Sequence, residues 1–209
     1  MLEWVLGRKS SDKTKSRSGG KKHKKPPYQE SKRIAAEGDV KSRSELASIE
    51  DLDPEFLYFF ASDKAADVRR AVAKNDGTPL QADLILARDV DPKVREELAY
   101  KIGKLVPSLT PDENEQLVEM SFQVLEILAL DQLPRIRIVI AEEIKHLDNV
   151  PKRIVDRLAI DAVEAVAGPI LEYSPLLTEE QLLQIIASGI KGGALDAVAR
   201  RRNLPEKVS

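Results

Sequence analysis

DKAADVRRAVAKNDGTP (residues 63–79) and DVDPKVREELAYKIGKL (residues 89–105) share one skeleton, offset by 26 residues. Asp63, Val68, Arg69 and Ala73 in the first stretch match Asp89, Val94, Arg95 and Ala99 in the second. Upstream, the same offset reaches Arg43 and Ala47, with Glu37 in the acid's place. Small residues at Ala35, Ala61 and Ala87 keep step, each eight before its Arg. Downstream, Ala129, Asp131, Ile136, Arg137 and Ala141 form a fourth copy, displaced by 42, which is one period plus a 16-residue insertion. Two weaker copies follow, one at Ala159, Asp161, Val166, Ala167 and Leu171 and one from Ala187 to Ala199, both without the Arg. A fixed period of this size is the mark of a solenoid of small stacked units.

Each copy reads as two short helices. Asp91-Pro92 pairs an N-cap acid with Pro at the first helical position, and Val94, Leu98 and Ile102 follow at i, i+4 and i+8. Thr78-Pro79 is expected to open a helix in the same way, as is Thr110-Pro111 ahead of the longest one. Pro54, Pro134 and Pro151 also suit helix starts, and Thr178 with Gln181 forms a capping box. Asn75-Asp76-Gly77 and Gly192-Gly193 are turn signals. No stretch alternates apolar and polar residues long enough for a strand. The expected fold is all-α: a right-handed α-solenoid of about six helical-hairpin repeats, with a long helix inserted near residues 111–130.

These residues carry a resemblance. Asp-x5-Arg, with an aliphatic residue before the Arg and Ala four after it, resembles HEAT repeats. Val68, Arg69, Ala73, Asn75, Thr78 and Pro79 resemble leucine-rich repeat variants. Residues 28–209 are also similar to an alphaproteobacterial family catalogued as a domain of unknown function. That match is most specific at Ala167-Gly168-Pro169-Ile170-Leu171, Ser174-Pro175-Leu176-Leu177 and Ala199-Arg200-Arg201-Arg202-Asn203-Leu204-Pro205. The resemblance implies a right-handed superhelix of helix pairs and no established activity. Some leucine-rich repeat variants carry an iron–sulfur cluster in a Cys-rich segment. This chain has no Cys, so that feature does not carry over.

The acid–Arg sets Asp63 with Arg69, Asp89 with Arg95 and Asp131 with Arg137 have two readings. In the first they are a structural ladder, each guanidinium bonding a carboxylate or backbone group in its own or the next repeat. In the second, one Arg per repeat makes a basic stripe for an acidic ligand. The ladder is preferred, because each Arg comes with its own acid and the Arg is lost in the last copies. The aromatic run Phe56, Tyr58, Phe59 and Phe60 is read as packing between neighbouring repeats. Phe122 and Tyr173 are read in the same way.

Over 209 residues the formal net charge is −2, and this number conceals a division. Residues 1–33 hold 11 bases and 3 acids, a charge of +8; the remainder holds 22 bases and 32 acids, a charge of −10. Residues 8–27 contain no aliphatic residue, so they cannot bury enough apolar area to offset chain entropy and are read as disordered. The domains drawn are therefore a basic tail, 1–27, and a repeat domain, 28–209. Leu2, Val5 and Leu6 fall at i, i+3 and i+4 beside Trp4, and nine Lys or Arg follow in residues 8–25, among them Lys21, Lys22, Lys24 and Lys25. An apolar foot with a polybasic run is the two-signal arrangement of peripheral membrane attachment. The tail's other readings are a solubilising segment, an RNA contact, or docking onto an acidic surface, this chain's own body included.

Composition excludes much chemistry. Without Cys there is no disulfide, thiolate metal site or Cys nucleophile. Of the two His, His23 lies in the tail and His146 follows Glu143 as a single Glu-x-x-His. A di-iron bundle needs two such motifs and further carboxylates, so His146 is read as a surface or capping residue. No P-loop, dinucleotide fingerprint, nucleophile elbow or His-Glu-x-x-His occurs. HEAT-like folds include DNA glycosylases with a basic groove, but a body of charge −10 repels phosphate and the single Trp is Trp4. Arg200-Arg201-Arg202 is read as a solvated helix end. Asn203-Leu204-Pro205 matches the turn that opens a further helix, so the last face is expected to self-associate or receive a partner.

The expected function is a noncatalytic scaffold or adaptor for a protein or peptide with a basic or mixed surface. No cofactor, metal or catalytic residue is assigned. The alternative is a membrane-peripheral module anchored by the tail. The expected location is the cytoplasm, with the inner face of the membrane under that alternative.

Overall fold

A computed structural model of the chain describes residues 25–109, 115–190 and 192–202. They form twelve helices: α1 (Tyr28–Glu37), α2 (Val40–Ala47), α3 (Pro54–Phe60), α4 (Ala66–Lys74), α5 (Leu80–Leu86), α6 (Pro92–Leu105), α7 (Glu115–Ala129), α8 (Pro134–Ile144), α9 (Lys152–Ala159), α10 (Glu164–Tyr173), α11 (Glu179–Ala187) and α12 (Gly193–Ala199). A short 3-10 turn, Val106–Ser108, follows α6. No strand occurs among the described residues, and the fold is all-α. The chain divides into two compact units, Met1–Asp83 and Leu84–Ser209, with α5 running across the division.

In the first unit α2 packs along α4, α1 along α3, and each odd helix meets the even helix after it. The core is a stripe from each element: Leu46, Leu57, Phe60, Val68 and Val72 are all buried. The aromatic helix α3 divides by face. Phe56, Leu57 and Phe60 point inward, while Tyr58 and Phe59 remain exposed on the opposite side, as helical spacing demands.

The second unit repeats this plan. Even helices stack in the order α6, α8, α10, α12, and odd helices α7 and α9 pack together beside them. Val94, Leu98 and Ile102 of α6 are fully buried, as are Ile136 and Ile140 of α8 and Val166 and Ile170 of α10. Each such side chain is worth about 1.5–3 kcal/mol of transfer free energy. The small residue four after each repeat position is sealed as well, at Ala47, Ala73, Ala99 and Ala141. Its size lets adjacent even helices approach. The approach is closest at Gly103 in α6, where an added Cβ would lie 2.6 Å from the Cβ of Glu143 in α8.

Helix starts follow local chemistry. Pro stands at the first position of α3, α6 and α8. Asp91 accepts from the Lys93 N–H at the start of α6, and the Thr178–Gln181 capping box opens α11. Thr78 departs from expectation: its hydroxyl donates 2.7 Å backward to the carbonyl of Val72 and so serves the end of α4. The longest helix is α7 at 15 residues, within the insertion; Thr110 and Pro111, expected to open it, lie outside the described residues.

Candidate functional site

The Arg of each repeat stands on the first or second turn of an even helix, and the forks of Arg43, Arg95 and Arg137 reach to the acid of the next copy. Arg43 Nε and Nη2 donate to Asp63 at 2.7 and 3.1 Å, while Nη1 donates to the carbonyl of Gly38 at 2.6 Å. Arg95 bonds Asp131 at 2.5 and 3.1 Å and the carbonyl of Asp89 at 2.7 Å. Arg137 bonds Asp161 at 2.7 and 3.0 Å and the carbonyl of Asp131 at 2.7 Å. Arg69 donates to the carbonyl of Asp63 at 2.7 Å. At Arg69, Arg95 and Arg137 the repeat's own acid thus offers its backbone oxygen, and at Arg43, Arg95 and Arg137 the next acid in the series offers its carboxylate.

The same carboxylate opens the next even helix. Asp63, Asp89, Asp131 and Asp161 accept the N–H two residues on, from Ala65, Asp91, Leu133 and Val163, at 2.8–2.9 Å. Those four residues are the N-caps of α4, α6, α8 and α10. Ala65, Leu133 and Val163 have no side chain able to cap, so the Asp two before them turns the chain into the helix. One carboxylate therefore joins two repeats and sets a helix start.

These pairs are well shielded. The Asp63, Asp131 and Asp161 side chains are 8%, 5% and 10% exposed, against 20%, 15% and 15% for Arg43, Arg95 and Arg137. Burial opposes the charged form of Asp63, but the Arg43 guanidinium and the Ala65 N–H outweigh it and hold the carboxyl below its ordinary value. Asp161 is held low by Arg137 and the Val163 N–H against the same opposition. The hydrogen bonds to their aspartates raise Arg43, Arg95 and Arg137 above the ordinary guanidinium value, so all three are fully charged. With Nε, Nη1 and Nη2 all engaged, these three guanidinium groups face their own fold.

A second set of braces closes the opposite ends of the even helices. Asn75, 6% exposed, donates at 2.8 Å to the carbonyls of Ala47, the last residue of α2, and Ile49 just beyond it, and accepts from the Gly77 N–H. Asn149 makes longer bonds to the carbonyls of Val106 and Leu109 beyond α6. Arg201 donates to the carbonyls of Leu171 and Ser174 at the end of α10. The arginine run is therefore not a simple solvated end. Because α12 stops at Ala199, Arg201 leaves the helix and turns under α10, where burial lowers its pKa. Arg200 pairs with Glu172 at 2.9 Å, on the last turn of α10, at the end opposite Ala167.

Other sequence-marked residues are dispersed. His146 is exposed and meets the Tyr173 ring edge-on at 5.0 Å, with the Lys145 ammonium 4.9 Å from the same ring. Tyr173, read from sequence as a residue of the stack, is 43% exposed. Lys25, proposed from sequence as a membrane or partner contact, is bound to Asp53 at 2.6 Å. Leu2, Trp4, Val5, Leu6, Lys21, Lys22 and Lys24 lie outside the described residues. Among the described residues no group of His, Cys, Asp and Glu is arranged to hold a metal, and no helix is long and apolar enough to cross a membrane.

Two open grooves mark the first unit. One, of about 470 Å³, runs between α1 and α2 over Pro26, Ile34, Leu46 and Ile49, with Glu37 and Glu45 beside them. The other, of about 590 Å³, follows α2 and α4 past Lys41, Ser44, Asp67 and Ala71. In the second unit, Arg135 of α8 bridges to Glu96 of α6 at 3.3 Å. Tyr100, 44% exposed, stands one turn beyond Glu96, and Ile138 and Glu142 continue the Arg135 face. Compared with known proteins, the chain matches no family model and no curated sequence.

Proposed function

We propose that the chain is a noncatalytic protein-binding scaffold, its helix hairpins being the repeats of a right-handed, HEAT-like α-solenoid. The observation that carries this reading is the uninterrupted stacking of α6, α8, α10 and α12 in the second unit. Such a stack presents a broad side-chain surface whose polar architecture is already closed beneath it by the Arg95–Asp131 and Arg137–Asp161 bonds. Extended surfaces of stacked helices suit protein or peptide ligands. Tyr100 supplies an exposed aromatic anchor, with Glu96, Arg135 and Glu142 as a mixed-charge surround. The partner surface that fits is basic or mixed, in keeping with an acidic body.

The test is affinity capture from the source cell with the native chain, a Tyr100→Ala/Glu142→Lys variant and an Arg88→Glu control. A protein retained by the native chain and the control, and lost from the double variant, is expected. Equal capture by all three, or none by the native chain, refutes the assignment of this face.

A further inference from the structure

The α1–α2 groove lies where the basic segment enters the fold. Pro26 is part of its lining, and the neighbouring Lys25 is fixed to Asp53, the residue preceding α3. The departure point of residues 1–24 is thereby pinned at the groove's edge. The lining combines an apolar strip, Pro26, Ile34, Leu46 and Ile49, with the exposed carboxylates of Glu37 and Glu45. Glu30 is already occupied by Arg33.

The chain outside the described residues has complementary chemistry. Leu2, Trp4, Val5 and Leu6 are apolar, and residues 8–24 carry eight Lys or Arg against the single acid Asp12. Residues 34–83 carry 11 acids and 6 bases. We infer that the α1–α2 groove is the docking site of this chain's own residues 2–6, with the lysines that follow them drawn to Glu37 and Glu45.

Reach and concentration favour the intramolecular contact. Eighteen residues separate Leu6 from Lys25, seven of them Gly or Ser and eight Lys or Arg; a random coil of that length spans roughly 23 Å, and like charges lengthen it. Such a tether places the foot at a local concentration on the order of millimolar. A contact of only millimolar intrinsic strength is then half occupied. A groove of about 470 Å³ is of the size that accepts an indole with an aliphatic neighbour. The electrostatic part of the contact weakens with salt. The inference is independent of the scaffold reading, since it concerns a different unit and a different face.

The chain contains one Trp, in the foot, so its fluorescence reports the contact directly. The 209-residue chain is compared with itself in urea, with a Glu37→Lys/Glu45→Lys variant and with Ile34→Glu. Circular dichroism confirms that each variant is folded. The two exposed glutamates make the first variant safe should Ile34→Glu fail. Docking predicts blue-shifted Trp4 emission and reduced acrylamide quenching in the native chain, independent of protein concentration and lost in the charge-reversed variant. Emission at the urea position under native conditions overturns the inference. So does protection that grows with protein concentration, which would place the foot on a second copy. Protection seen only with anionic phosphatidylserine vesicles overturns it too, in favour of the membrane.

Discussion

Replacing Arg137 with alanine removes two charge-assisted bonds to Asp161 and one to the carbonyl of Asp131. The larger consequence falls on what remains. The Asp161 carboxylate, 10% exposed, keeps the Val163 N–H as a hydrogen-bond donor and the more distant charge of Arg157, neither of which replaces the fork. Breaking a buried pair from one side costs about 3–5 kcal/mol, and the 15% exposure of the Arg admits some water, so about 3 kcal/mol is expected. That corresponds to a fall in melting temperature of roughly 10 °C for a domain of this size. Circular dichroism during urea and thermal unfolding measures it, with hydrogen exchange in α8 and α10 locating the loss. The double variant Arg137→Ala/Asp161→Ala should be less damaged than the sum of its single changes, with a coupling of about 2 kcal/mol. If Arg137→Ala lies within about 0.5 kcal/mol of the native chain and the two changes add, the bond is not structural and the stripe reading gains.

Arg95→Ala should lose a similar amount, because its bonds to Asp131 have the same pattern. Asp63 and Asp161 are held below their ordinary value of 3.8, so their contribution is complete above that value and is lost as pH falls through the lower, folded one. The native melting temperature should drop below about pH 4, and the drop should be smaller in Arg137→Ala, which lacks that contribution. Gly103→Ala should destabilise by about 1–3 kcal/mol in urea unfolding, since the clash with Glu143 outweighs the ~1 kcal/mol that Ala gains over Gly in a helix. Asn75→Ala removes the side-chain bonds to the Ala47 and Ile49 carbonyls, the latter keeping the Leu52 N–H, and the bond from the Gly77 N–H; it should cost about 1–3 kcal/mol, with faster hydrogen exchange at Gly77.

How much the sequence disclosed depends on which property a residue expresses. Positions that need only a size or a period were legible: Ala47, Ala73, Ala99 and Ala141 are sealed at one register. The Asp-x5-Arg spacing identified the right partners in kind but left the direction of bonding open. A period gives the place of Arg95 along the chain, not which neighbouring turn its fork will face, and it faces Asp131, 36 residues away. Asn75 read as a turn residue, and nothing local shows that its amide would reach two carbonyls 26 and 28 residues behind it. Arg201 was misread because three adjacent arginines were placed on one helix, whereas the helix stops before them. Thr78 precedes a Pro, as capping threonines do, yet the carbonyl of Val72 claims its hydroxyl.

The ladder bonds span unequal lengths of chain. Arg43 and Asp63 are 20 residues apart, Arg95 and Asp131 36, and Arg137 and Asp161 24. The fork-to-carboxylate geometry hardly changes among them. The rung is formed between even-helix turns, and the odd helix that lies between, α3, α7 or α9, packs beside the even helices without taking part in the rung. Chain length is thus insulated from stacking register: an odd helix can grow by whole turns, as the stretch holding α7 has, while the helices it connects keep their grip. For anyone wishing to graft a segment into this protein, the connections on either side of an odd helix are the tolerant sites, while the helix's own buried face, Leu57 and Phe60 in α3 or Leu125 and Leu128 in α7, and the few residues around each rung Asp are not.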